Sequence, residues 1–221
     1  LCILDDGNGM SQKELIIAMT PGSSDPDLER EEGDLGRFGS GLKTASWSQA
    51  KKLIVITKSK NKLSAASWDL DEIENTNAWD LNLLDPKEIK NLIKNYSIEM
   101  PKQGTAVIWD KIDSIQGSTI REKERDQEEK IEKIIDHLAL TYHRFLDRPG
   151  GSSLKIYFNG QKLKHKDPFL TKHPKTHESQ PDSIEKIRFQ VFTVPNPADL
   201  SNDDLREFIK NSSTNGMPAK Y

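Results

Sequence analysis

The sequence predicts an α/β fold. Short β-rich apolar blocks, such as Leu53–Ile56, Val107–Trp109 and Leu154–Phe158, alternate with segments that carry helix-start signals and helical apolar spacing. Two glycine-rich stretches fall where elements break. At 221 residues the chain has room for one large domain, or for one domain and part of a second. Its composition, 34% hydrophobic and 30% charged, is polar for a globular chain, but the clustering of the apolar residues allows a core.

The first apolar run, Leu1-Cys2-Ile3-Leu4, reads as the tail of a buried strand that breaks into the tight turn Asp5-Asp6-Gly7-Asn8-Gly9-Met10. Ser11 and Glu14 then make a capping box for a short helix carrying Leu15, Ile16, Ala18 and Met19. From Pro21 to Gly36 the chain is acidic, polar and punctuated by glycine and proline, which predicts a loop. Gly36-Arg37-Phe38-Gly39-Ser40-Gly41 leads into a helix from Leu42 to Ala50. Leu53–Thr57 and Ser64–Asp69 read as strands joined by a lysine-rich turn around Asn61. Asp85 caps a further helix, with Pro86 at its first position and Glu88 completing the box. Gly104–Trp109 is a strand.

Thr119 and Glu122 open a long helix. Its first turns, Arg121–Lys130, are almost wholly charged and predict a solvated stretch, whereas Ile131, Ile134, Ile135, Leu138, Tyr142 and Phe145 recur at helical spacing and predict a core face. Leu154–Phe158 predicts a strand, with Asn159-Gly160 as the turn after it. From Leu170 to Ser183 the composition of Pro, His, Ser and Lys reads as a linker. Ile187–Val194 predicts a new strand, and Ser201 caps a helix ending near Lys210. There is no internal repeat.

The net charge of −3 gives the whole molecule no electrostatic claim on nucleic acid. Lys155, Lys162, Lys164 and Lys166 form a local basic group that reads as a solvated strand and turn. With Cys2 as its one cysteine the chain cannot form an internal disulfide, and its five histidines have no cysteine partners for a zinc site. No signal peptide or long apolar run is present, so the expectation is a soluble cytoplasmic protein without membrane contact. Both ends read as cut from a longer polypeptide.

The chemistry rests on the two glycine-rich segments. A carboxylate at the end of a strand, here Asp5, can accept a hydrogen bond from an exocyclic amine such as adenine N6, and Gly7 and Gly9 let the backbone pass close to a flat base. Alone, Asp-x-Gly-x-Gly is as consistent with a plain turn. Glycines at 36, 39 and 41 before a helix allow backbone N–H groups to converge on phosphate oxygens, with Lys43 adding a full positive charge. Alone, that segment also fits a glycine-rich helix start. It lacks the Walker A spacing, and no strand leads directly into it as a Rossmann fingerprint requires.

Together, in order and separation, the two segments resemble the GHKL superfamily, which holds gyrase B, the ninety-kilodalton heat-shock chaperones, histidine kinases and MutL. Asp5-x-Gly7-x-Gly9-Met10 is similar to the family's adenine motif, and Gly36-Arg37-Phe38-Gly39-Ser40-Gly41-Leu42-Lys43 to its phosphate-lid motif. Gly104-Thr105-Ala106-Val107-Ile108-Trp109 resembles its Gly-Thr strand, whose threonine helps hold the water network of the adenine site. The Asp-Asp-Gly-Asn-Gly-Met and Gly-Ser-Gly-Leu-Lys wording resembles MORC-like and chaperone-like members most closely.

The resemblance implies a Bergerat fold: an α/β two-layer sandwich with a mixed, mainly antiparallel sheet and helices on one face. It implies an ATP-binding domain over residues 1–170, a linker over 171–184, and the start of a transducer-like second domain over 185–221. It implies ATP with Mg²⁺, an ATP lid over Pro21–Leu35, slow hydrolysis, ATP-dependent homodimerisation, and a DNA or protein client. The family's catalytic glutamate and Mg²⁺-binding asparagine stand on a helix before the adenine motif, upstream of Leu1. No residue here takes either role, since Glu14 and Glu29 lie in the wrong segments, and this chain alone is expected not to turn over ATP. A kinase-branch phosphotransferase and a non-catalytic nucleotide-binding module are the alternatives. His137 and His143 are six residues apart on different faces of the long helix and read as satisfied histidines. The tryptophans at 47, 68, 79 and 109 read as structural.

Overall fold

The computed structural model describes residues 1–22, 41–112, 119–148, 153–185 and 187–201. The chain divides into two compact units, Leu1–Ile115 and Gln116–Tyr221.

The first unit runs β1 (Cys2–Asp5), α1 (Gln12–Met19), α2 (Gly41–Trp47), β2 (Ala50–Ser59), β3 (Lys62–Asp69), α3 (Leu70–Thr76), β4 (Asn82–Leu83), α4 (Pro86–Asn95) and β5 (Gly104–Ile112). Its five strands form one sheet in the order β1-β5-β2-β3-β4, and each described pairing is antiparallel. This is the expected α/β sandwich, with the sheet antiparallel throughout its described part.

Alternation along β2 explains the layering. Leu53 and Val55 point to one face, where they join Leu15 and Met19 of α1 and Ala66 and Trp68 of β3 in a buried cluster. Ile54 and Ile56 point to the other face, where they pack with Ala65, Ala106, Ile108 and Ile89 of α4. Helices therefore lie on both faces, not on one as the resemblance implied. The reason is the apolar stripe of α4: Ile89, Leu92 and Ile93 need a partner, and the second face of the sheet supplies it.

The local start signals act as the sequence predicts. Ser11 with Glu14 and Asp85 with Glu88 form complete capping boxes, with Pro86 in the first turn of α4. By contrast β1 is not buried. Leu1, Ile3 and Leu4 are 51%, 52% and 44% exposed, because β1 is an edge strand paired to β5 alone among the described strands.

The second unit begins with α5 (Ile120–Thr141), capped by Thr119 and Glu122, and α6 (His143–Leu146). On α5, Ile131, Ile135 and Leu138 are half-buried, but Ile134 stands open, as does Phe145 on α6, so the expected core face is narrower than its spacing suggests. Asn159 and Gly160, both at positive φ, turn the hairpin β6 (Tyr157–Phe158) and β7 (Gln161–Lys162). Within the stretch read as a linker, β8 (His177–Glu178) and β9 (Asp182–Ile184) pair with β11 (Phe192–Thr193) and β10 (Ile187–Phe189). The helix expected after Ser201 lies outside the described residues. Among the described residues no helix is long and apolar enough to cross a membrane.

Candidate functional site

The polar end of the first sheet is built by register. Asp5 on β1 lies opposite Thr105 on β5, and Thr105 lies opposite Thr57 on β2. Cross-strand partners share a face, so the three side chains form a row on the face covered by α1 and α2. Farther along that face the side chains are apolar, with Val55, Val107 and Leu53 in the buried cluster or against it.

The turn after Asp5 is locked in place by its own backbone. Asp5 Oδ1 accepts the Gly7 N–H at 2.9 Å, and Oδ2 has no partner among the described residues. Gly9 has φ +63°, and a Cβ there would overlap the Lys58 carbonyl. Glycine is needed at that point by the protein's own packing against β2, before any ligand is considered. Gly104, at φ +143°, meets the Asp5 carbonyl in the same way. The Met10 N–H donates to Thr57 Oγ1 at 2.8 Å, and its side chain packs against the Leu15–Trp68 cluster.

Thr57 is the site residue that motif reading missed. Its hydroxyl is fully buried and lies 3.2 Å from both the Gly104 carbonyl oxygen and Thr105 Oγ1. Thr57 sits outside both glycine segments. Its one signal in the sequence is a hydroxyl in phase with Leu53 and Val55, where the pattern calls for an apolar residue.

The phosphate-lid segment is described only from Gly41 onward; Gly36, Arg37, Phe38, Gly39 and Ser40 lie outside the described residues. Gly41 opens α2, and a Cβ there would meet nothing within 4 Å. Leu42 packs against the same buried cluster as Met10. Lys43 is 2% exposed, and its Nζ donates to the carbonyls of Ala18 at 2.8 Å and Thr20 at 2.9 Å. These carbonyls end α1, where the helix dipole favours a cation. No carboxylate lies within ion-pair reach of this ammonium among the described residues, and burial pushes its pKa below the ordinary lysine value.

Aromatic side chains hold α1 and α2 on the sheet. Trp68 Nε1 donates to the Met19 carbonyl at 3.0 Å, and Trp109 Nε1 to Ser46 Oγ at 2.8 Å. Trp47, Trp68 and Trp79, scattered in sequence, meet edge-on with ring centroids 5.7–6.2 Å apart. In the second unit His137 Nε2 lies 3.4 Å from Thr141 Oγ1 on α5, and His143 Nδ1 lies 2.7 Å from the Leu140 carbonyl of α5, while the buried His143 Nε2 has no hydrogen-bond partner among the described residues, against the expectation of a satisfied ring.

Comparison with known proteins places this geometry. Residues 1–105 match the profile of the histidine kinase-, DNA gyrase B- and HSP90-like ATPases. The chain is also 38% identical over 64 residues to the ATPase MORC2B of Mus musculus, a match that covers 29% of this chain and 6% of that protein. The chain thus spans a small part of that relative. The strand-turn-helix order, the antiparallel sheet with its helices and the matched residues agree, and residues 1–105 form a GHKL-type ATPase domain of MORC-like character.

Proposed function

We propose that the first unit binds ATP and ADP at the polar end of its sheet, and that in the intact protein this binding drives lid closure, dimerisation and slow hydrolysis. The observation that carries the reading is the row Asp5–Thr105–Thr57, a carboxylate with one oxygen unpartnered among the described residues beside two hydroxyls at the end of an apolar sheet face. A carboxylate only accepts, so it selects a base that offers a donor, as adenine does with its N6 amine. Gly7, Gly9 and Met10 hold the turn that carries this face, and Thr105 completes its floor.

The buried ammonium of Lys43 fits the phosphate end. Among the described residues this buried cation has no counter-charge, a costly arrangement that an anionic ligand would relieve. Gly36, Arg37, Phe38, Gly39, Ser40, Gly41 and Leu42 would supply backbone and side-chain donors to the same phosphates. ATP supplies the phosphoanhydride; the residues here bind and orient it, and hydrolysis belongs to the intact protein. Mg²⁺ would accompany the phosphates, and none of the residues assigned here is its ligand. Residues 185–221 would open a transducer-like domain, and a DNA or protein client would be the target of the dimer.

The test is competition for a bound fluorescent ADP analogue. ADP should displace it and GDP should fail to do so at tenfold higher concentration, since guanine presents an acceptor where Asp5 needs a donor. Equal displacement by the two would overturn the adenine assignment.

A further inference from the structure

Three backbone segments converge on the Thr57 hydroxyl: the turn at Met10, the start of β5 at Gly104 and Thr105, and β2 itself. A hydroxyl has one proton and two lone pairs. One lone pair accepts the Met10 N–H. The proton then goes either to the Gly104 carbonyl or to Thr105 Oγ1, and each choice fixes what Thr105 offers. When Thr57 donates to Thr105, the Thr105 proton is free to point toward a ligand. When Thr57 donates to Gly104, its second lone pair can take the Thr105 proton, and Thr105 then presents only lone pairs. Thr105 stands directly across from Asp5 in the ladder, so this choice sets the polarity of the group beside the carboxylate.

We infer that Thr57 is a positioning and specificity-determining residue of the base site. It pins the Asp5–Met10 turn to the sheet through the Met10 N–H, and it sets whether the Thr105 hydroxyl donates or accepts. The inference rests on the nucleotide reading above. For an adenine edge, which offers a donor at N6 and an acceptor at N1, the matching state is Thr57 donating to Thr105, with the Thr105 proton turned to the base or to a bridging water. Hypoxanthine reverses both groups, so it conflicts with Asp5 and with that state of Thr105 together. A base site in which Thr105 turns freely would keep only the first of these two discriminations.

The experiment is calorimetric titration of ADP and IDP into the full chain and into Thr57→Val, Thr57→Ser and Thr57→Cys, well below each thermal midpoint. Serine keeps the hydroxyl, valine keeps the shape without it, and cysteine is near-isosteric with serine but a far weaker hydrogen-bonding group. Thr57→Ser should bind ADP within about twofold of wild type, while Thr57→Val should weaken ADP about tenfold or more and narrow the ADP/IDP ratio, as expected for one lost buried hydrogen bond. Thr57→Cys should behave as valine does, and it supplies the comparison with serine if the valine variant does not fold. The Met10 amide should exchange faster with solvent in both. A general loss of packing would weaken ADP and IDP in proportion and leave the ADP/IDP ratio at its wild-type value, and that result would overturn the assignment. If wild type binds ADP and the valine and cysteine variants bind it equally well with the same ADP/IDP ratio, this assignment falls alone. If wild type binds no ADP, the nucleotide reading falls and takes the assignment with it.

Discussion

At the scale of single residues, the site separates what a motif can announce from what only a register can assemble. Asp5, Gly7 and Gly9 stand within five positions of one another, so their turn is local and legible in the sequence. The reason for Gly9 was not legible, because the atom it avoids, the Lys58 carbonyl, lies on another strand. Gly9→Ala should therefore destabilise the fold by about 1–3 kcal/mol even without ligand, which denaturant melts would measure. A stability equal to wild type would mean that the turn can move off β2. Lys43 makes a second prediction. Burial lowers its folded pKa below the 10.5 of an exposed lysine. Between these two values the unfolded chain holds more protons, so this group's contribution makes stability rise with pH in that window, while at lower pH its full desolvation cost is present. Lys43→Met should remove that rise from a pH series of melts. Lys43→Ala should also weaken ATP more than adenosine, since only the former brings phosphates. An equal effect on both ligands would exclude a phosphate role.

At the scale of elements, helix starts were legible and faces were not. Three capping boxes, at Ser11, Asp85 and Thr119, are encoded within four residues each, and all three form. Which side of the sheet a helix covers depends on contacts far along the chain, and so α4 on the second face had no local signal. Its Ile89 is 3% exposed, and Ile89→Ala should cost about 2–5 kcal/mol in denaturant melts. A loss under about 1 kcal/mol would mean that α4 is loosely held. Beside it in sequence, Lys111 at the end of β5 bonds to Asp69 and Asp71 around the start of α3. Burial alone would raise the Asp69 pKa, but hydrogen bonds from Lys111 and Lys52 outweigh it; Asp71 is lowered mainly by its bonds to Lys111 and Lys51. The resulting stability is present above the ordinary aspartate value of 3.8 and is lost as pH falls through the depressed values. Lys111→Met should thus be less stable than wild type at neutral pH and converge with it in strong acid. A gap between them that does not change with pH would assign the effect to packing instead.

At the scale of the whole molecule, the family match ends at residue 105, inside the first compact unit, which runs to Ile115. Motif spacing carried the family, because phosphate and base chemistry restrict residue types over short stretches. It carried less of the second unit, where two-stranded pairings such as β8 with β11 join short segments of mixed composition. Bound ADP should slow amide exchange around residues 5–10, 41–43, 57–58 and 104–105 and leave the second unit near its free rates. The most direct test of nucleotide binding is calorimetric titration of ADP and a non-hydrolysable ATP analogue into the chain and into Asp5→Asn. Saturable binding that is lost or weakened at least tenfold in Asp5→Asn is the predicted result. Absence of binding to the chain, or binding that Asp5→Asn leaves unchanged, would contradict an adenine site at the end of this sheet.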